Sequence, residues 1–280
     1  MTTREERVEI LKAEQQRLEQ YLHTLLPEAW HHPSTCDQWT VADVIAHLIG
    51  GNRRHATWIT DALQATSVTP ERLPRRSHQR VDAAAMAQRG IALRQELGSH
   101  LLSALVTTNR AIAHTFAQVA LDDWEKLCYR PNGAEPIHTI LDNFIAEVGV
   151  HRWDVTYPFD SHVQLAHDCV AVMVERYPHR PRWWDIALPP SHLPLPVRFR
   201  FTVSGVTAPG TDFVVATPEE KYMEVAGTVP ADVTFRCDAQ TFVLLAYGRR
   251  SPATALSTGT LTYTGSHAWA ELFMRSYIGG

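Results

Sequence analysis

Cysteine is scarce: four residues in 280, at Cys36, Cys128, Cys169 and Cys237, far apart and with no C-x-x-C pair. The pattern reads as reduced thiols in a cytoplasmic protein, each in a buried structural role. Long apolar runs are missing too. No stretch approaches the ~18 residues that span a bilayer, so no membrane segment is expected. Positive charge is not in excess: 26 Lys and Arg face 30 Asp and Glu, a net charge of −4. That balance removes the general electrostatic case for a nucleic-acid partner. Arg53-Arg54, Arg75-Arg76 and Arg249-Arg250 are short local pairs, the ordinary reading of which is solvated surface.

Motifs of several enzyme classes are absent as well. There is no P-loop, no Rossmann glycine pattern, no G-x-S-x-G elbow and no internal repeat, and neither Ser204-Gly205 nor Ser251-Pro252 has the context of a nucleophile. The opening Met1 to Arg7 is charged and runs into an amphipathic helix, so no secretory signal is expected.

What the chain does have is a hydrophobic content of 45% and a length that suits two domains. Val8, Leu11, Leu18, Leu22 and Leu25 recur at helical spacing until Pro27. Thr40 with Asp43 three residues later forms a capping-box pattern that opens a second helix, to about residue 65. After a loop containing Pro70 and Pro74, a long helical pattern covers about 82–119, with Gly90 and Gly98 as candidate interruptions. A loop around Pro131-Asn132-Gly133 follows. Pro136 then starts a helix to about residue 155, and a further helix covers about 163–177. Four long helices joined by loops predict an up-and-down bundle over residues 1–177.

A proline-rich stretch, about 178–196, marks a linker. Beyond it the period changes to two, with strands at 197–203, 213–215, 222–225 and 232–236, a helix at 238–247, a strand at 259–264 and a closing helix at 267–277. Residues 178–280 are thus expected to form a small α+β domain with a mainly antiparallel sheet.

Three side chains stand out. Glu147 and His151 are four apart, so on one helix they lie on one face about 6 Å apart along the axis. His47 sits among apolar neighbours in Val44-Ile45-Ala46-His47-Leu48-Ile49, at the buried seam of another helix. A lone histidine on such a seam is more often a hydrogen-bonded core residue than a ligand. Here, however, a buried carboxylate stands beside it, and without a cation or strong hydrogen bonds that costs several kcal/mol. Two histidines and one carboxylate suit a divalent ion, zinc above others, and leave an open position for water or substrate. Asp43, one turn before His47, and Asp154, three after His151, are placed to orient ligand imidazoles; helix capping and a salt bridge are their plainer roles.

The segments Pro33-Ser34-Thr35-Cys36-Asp37-Gln38-Trp39-Thr40-Val41-Ala42-Asp43-Val44-Ile45-Ala46-His47-Leu48 and Glu147-Val148-Gly149-Val150-His151-Arg152-Trp153-Asp154 resemble the mycothiol-dependent maleylpyruvate isomerase family of the DinB-like metal-binding bundles. The tail, Gly227 to Ile278, resembles that family's sterol-carrier-like domain. The resemblance puts His47, Glu147 and His151 in the places of the zinc ligands. It implies a low-molecular-weight thiol such as mycothiol as cofactor and a small electrophile as substrate, with either isomerisation or S-transfer as the reaction. Arg53, Arg54 and, from the second domain, Arg249 are the candidate partners for carboxylates, since the guanidinium fork holds them bidentately. Two other classes stay open: hydrolysis by metal-bound water, and a non-catalytic module that binds an apolar ligand. A monomer or a homodimer fits equally.

Overall fold

The computed structural model describes residues 2–64, 83–130, 133–179, 195–208, 210–217 and 220–276. The chain divides into two compact units, Thr2–Cys169 and Val170–Gly280. Most of the proline-rich stretch, including Trp183 and Trp184, lies outside the described residues, as do Arg75 and Arg76.

The helical unit begins with α1, Arg4–Thr24, opened by a reciprocal capping box between Thr3 and Glu6. Its buried face carries Val8, Leu11, Leu18 and Leu22, and it ends ahead of Pro27. The second capping box forms too: the Asp43 amide donates to Thr40 Oγ1 at 3.3 Å, and the Thr40 amide to Asp43 Oδ2 at 3.0 Å. It starts α2, Val41–Gln64.

The long helical pattern over 82–119 breaks into α3, Ala83–Leu97, and α4, Leu101–Ala117. The break falls at Gly98, whose φ of +51° is one that L side chains rarely adopt, while Gly90 stays helical. The loop expected before the last bundle helix contains a hairpin instead. Here β1, Leu127–Arg130, pairs antiparallel with β2, Gly133–Pro136, and feeds directly into α5, Ile137–Thr156. Four-residue strands are too short for alternation to register as a pattern.

In this unit α1 packs on α4 and α5, and α2 packs on α3, α4 and α5. Two charged pairs fix how α1 meets α5: Arg7 to Asp142 at 2.6 Å, and Arg152 to Glu14, whose side chain is fully buried. Such pairs set register more than they add stability, because desolvation offsets most of the attraction. They fix the rotation of the helix that carries Glu147 and His151. At Gly149 a Cβ would lie 2.4 Å from Cys169 Sγ, so the absence of a side chain lets Cys169, near the start of α6, His167–Arg176, pack against α5.

The C-terminal unit holds a five-stranded sheet in the order β5-β4-β3-β6-β7. The strands are β3 Val197–Ser204, β4 Thr211–Val215, β5 Lys221–Val225, β6 Val233–Asp238 and β7 Leu261–Gly265. All neighbours are antiparallel except the central pair, β3 with β6. Phe199, Phe201 and Phe235 from the sheet meet Phe242 of α7, Ala239–Ala246, or Phe273 of α9, His267–Ser276, and Phe213 stacks beside Phe199; all six are buried. Tyr177 belongs to this core, its ring 5.0 Å from that of Phe242. A short helix unread in the sequence, α8, Pro252–Ser257, precedes β7. No helix among the described residues is long and apolar enough to cross a membrane.

Candidate metal centre

His47 lies in the second turn of α2, where Ile45, Ala46, Leu48 and Ile49 are buried around it and its own side chain is 14% exposed. On α5 the stripe of Ile137, Leu141, Phe144 and Val148 is buried; His151 continues it, and Glu147 stands at its edge, 37% exposed. Packing of α2 on α5 brings the three together. Glu147 Oε2 is 3.6 Å from His47 Nε2 and 3.5 Å from His151 Nε2. One donor atom from each residue lies within 4.8 Å of the other two.

These distances are informative. A hydrogen bond between nitrogen and oxygen spans 2.7–3.2 Å as a rule, and contacts of 3.5–3.6 Å are too long for one. Two ligands each about 2.1 Å from one tetrahedral ion stand about 3.4 Å apart. The donor set therefore fits a divalent cation better than it fits mutual hydrogen bonding. Burial alone would raise the Glu147 carboxyl, yet its pairing with His151 and His47 holds it well below the usual carboxylate range. Burial opposes charge on His151, but Asp154, Cys36 and Glu147 prevail and raise it well above the ordinary value. For His47 burial prevails and lowers it.

The far nitrogen of His151 is held as well. Nδ1 is 2.9 Å from Oδ2 of Asp154, a carboxylate with no exposed surface. The Cys36 thiol donates to the same oxygen at 3.0 Å, and the Thr35 hydroxyl donates to Oδ1. Trp39 covers the pair from the side, its ring 4.9 Å from His47 and 6.3 Å from His151. Cys36 is therefore no inert core thiol: it is partly exposed and lies beside the cluster. The other three fit the structural reading. Cys128, Cys169 and Cys237 are buried, and burial pushes the Cys169 thiol well up and that of Cys237 to about 12.

The remaining sequence candidates separate. Asp43 caps α2 with one oxygen and receives Arg94 Nε at 2.6 Å on the other, both engaged away from His47. Arg54 folds back over Gly50, near enough for its charge to oppose protonation of His47. Burial lowers the Arg54 guanidinium, and facing Arg89 of α3 lowers it further. Arg53 is exposed. Arg249 lies in the C-terminal unit, where its guanidinium donates to the Tyr247 carbonyl at 2.7 Å. Thr35, Cys36, Arg89 and Arg94 carry no periodic signal that singles them out; only the tertiary arrangement does.

A helical bundle that presents two imidazoles and a carboxylate on facing helices, followed by an α+β unit, defines a class of two-part proteins with a set of candidate metal ligands in the bundle. The family model of the mycothiol maleylpyruvate isomerase N-terminal domain matches residues 11–156, and the chain belongs to that family. The crystal structure of the mycothiol-dependent maleylpyruvate isomerase is similar over 94% of this chain and 93% of that chain, with a TM-score of 0.59 and 13% identity. A point mutant of that enzyme gives a TM-score of 0.59 at 12% identity. At such identity the likeness is one of fold. No curated protein matches the sequence.

Proposed function

We propose that this chain is a metal-dependent enzyme that activates a low-molecular-weight thiol, mycothiol or one like it, for isomerisation or S-transfer on a small electrophile. Family membership supports an isomerase. The spacing of His47, Glu147 and His151 carries the metal part of the reading, because 3.5 and 3.6 Å suit two ligands of one ion. His47 Nε2, Glu147 Oε2 and His151 Nε2 would hold the ion, with zinc the best match to the donors and a fourth position left open. Bound there, the ion would favour thiolate over thiol for a cofactor whose free pKa is near 8.5.

The chain's own groups supply the rest. Asp154 holds His151 by its far nitrogen, and Trp39 walls the imidazoles from one side. Arg54 and Arg89 lie near enough for their charges to act on each other, an arrangement that would attract a carboxylate from substrate. In the isomerisation, the thiol sulfur adds to an activated alkene and the former double bond turns as a single bond. Loss of the same sulfur then restores the alkene in the other geometry and regenerates the thiol.

Metal analysis of the purified protein beside His47→Ala, Glu147→Ala and His151→Ala, with turnover of a model electrophile with and without thiol, tests the reading. One ion per chain, lost in all three variants, and turnover only with thiol are expected. Turnover without thiol would replace the proposal with hydrolysis, and full metal content in the variants would remove the cluster.

A further inference from the structure

The loop between Pro33 and Thr40 is folded back on itself with unusual completeness. Pro33 and Thr40 form an antiparallel bridge, the Ser34 amide donates to the Trp39 carbonyl at 2.9 Å, and the Trp39 amide donates to the Cys36 carbonyl at 3.1 Å. Ser34 Oγ donates to the Trp39 carbonyl as well and accepts from the Cys36 amide at 3.1 Å. Gln38 takes a φ of 67°, a left-handed conformation that a non-glycine residue adopts only when its surroundings fix it. The closed loop is also stitched to the end of α5, where the Thr35 amide donates to the Asp154 carbonyl at 3.2 Å.

Through this one loop the protein touches His151 on two sides. Trp39, at the loop's end, lies against the imidazole. Thr35 and Cys36, at its tip, reach the carboxylate that holds Nδ1. With a cation at Nε2, His151 would carry its hydrogen on Nδ1, donate it to Asp154, and direct the Nε2 lone pair at the ion. Asp154 can keep that role only if its own rotation is fixed. Its Oδ1 is held by Thr35, and its Oδ2 is shared between Cys36 and His151.

We infer that Thr35 and Cys36 are positioning residues of the metal cradle: they lock the Asp154 carboxylate, and through it the tautomer and direction of His151. The inference rests on the metal reading above and extends it to two residues outside the set of His47, Glu147 and His151, one of which, Cys36, forms with His151 and Asp154 a second group of possible donors. Partners of this kind, one bond removed from a ligand, change metal affinity by about 10- to 100-fold when lost. Thr35 acts one link further out, and Cys36, whose sulfur also lies 3.8 Å from His151 Nδ1, makes only the weak contacts of a thiol, so about 10-fold is expected for Thr35→Val and a smaller loss for Cys36→Ala.

The test is zinc affinity, measured by competition with a chromogenic chelator, for the full-length wild type and for Thr35→Val, Thr35→Ser, Cys36→Ala and Cys36→Ser. Spectra of the cobalt-substituted proteins and the melting temperature of the metal-free forms accompany it. The positioning role predicts weaker binding and an altered cobalt d–d band in Thr35→Val, restoration of both in Thr35→Ser, and unchanged melting of the metal-free Thr35→Ser. A wild type that binds zinc and keeps its affinity in both Thr35→Val and Cys36→Ala overturns this inference alone. A wild type that binds no metal overturns the metal reading and this inference together. An intense near-ultraviolet thiolate-to-cobalt band that vanishes in Cys36→Ser would make Cys36 a ligand and overturn its positioning role.

Discussion

Two carboxylates in this protein are surrounded very differently. Asp212, with no exposed surface in the C-terminal sheet, is met by Arg198 at 2.8 Å and by Arg200 at 2.7 Å, and Arg198 also pairs with Glu224. Its charge is balanced within hydrogen-bonding distance. Glu147, in the helical unit, faces two imidazoles at 3.5 and 3.6 Å, too far to bond and close enough to share an ion. The first cluster is complete as it stands; the second has the geometry of a cradle. Distance and partner chemistry, rather than burial, separate a structural ion network from a ligand set.

The sharpest break between the two clusters comes from removing the carboxylates. Glu147→Gln is expected to weaken zinc binding by more than the ~100-fold that loss of a supporting partner costs. The same change should move the melting temperature of the chelator-treated protein by less than about 2 °C, as thermal melts with and without chelator would show. Asp212→Ala should do the opposite. It leaves metal binding intact and destabilises the C-terminal unit by about 2–3 kcal/mol, at the low end for a broken buried pair because both guanidiniums reach solvent. Denaturant unfolding followed by a probe in that unit measures it.

A gentler version uses acid. Burial alone would raise the Asp212 carboxyl, but Arg200 and Arg198 outweigh burial and depress it below 3.8. A depressed carboxylate contributes stability above its unfolded value and loses it as pH falls through the folded one. The wild type should therefore lose this increment only below about pH 4, and Asp212→Asn should show a shallower acid dependence there.

Gly149→Ala asks whether the cradle depends on close helix packing, since its Cβ would meet Cys169 Sγ at 2.4 Å. A loss of about 1–3 kcal/mol is expected, with partial recovery on adding Cys169→Ala, by chemical denaturation. The smallest effect separates neighbouring arginines. Arg54→Ala should raise KM for an anionic electrophile several-fold more than Arg53→Ala, with metal content unchanged in both, since only Arg54 bends toward His47.

Much of this was legible in the residues, and the legible parts share a cause. Helices α1, α2 and α5 announce themselves through a cap and prolines: Thr40, Pro27 and Pro136. The pairing of Glu147 with His151 follows from helical spacing alone, and the buried stripe on α5 aims His151 inward with Glu147 at its edge. What sequence could not supply is anything decided between segments. Nothing in Pro33 to Trp39 has a period, so Thr35 and Cys36 gave no sign that they meet Asp154, more than a hundred residues away. Arg53 and Arg54 are equivalent on paper; the turn of α2 against α3 tells them apart. The β1–β2 hairpin escaped because its strands are four residues each, and Gly98 rather than Gly90 broke the long helix because only Gly98 needs a left-handed backbone.

His47 and Glu147 stand a hundred positions apart, on two different helices, α2 and α5. An ion gripped by both would work as a clasp across that span. Closing so long a loop costs entropy that the unfolded polypeptide cannot recover while the clasp holds. Occupancy of the cradle would then report that α2 and α5 have docked correctly, and withdrawal of the ion would loosen the whole bundle instead of one side chain.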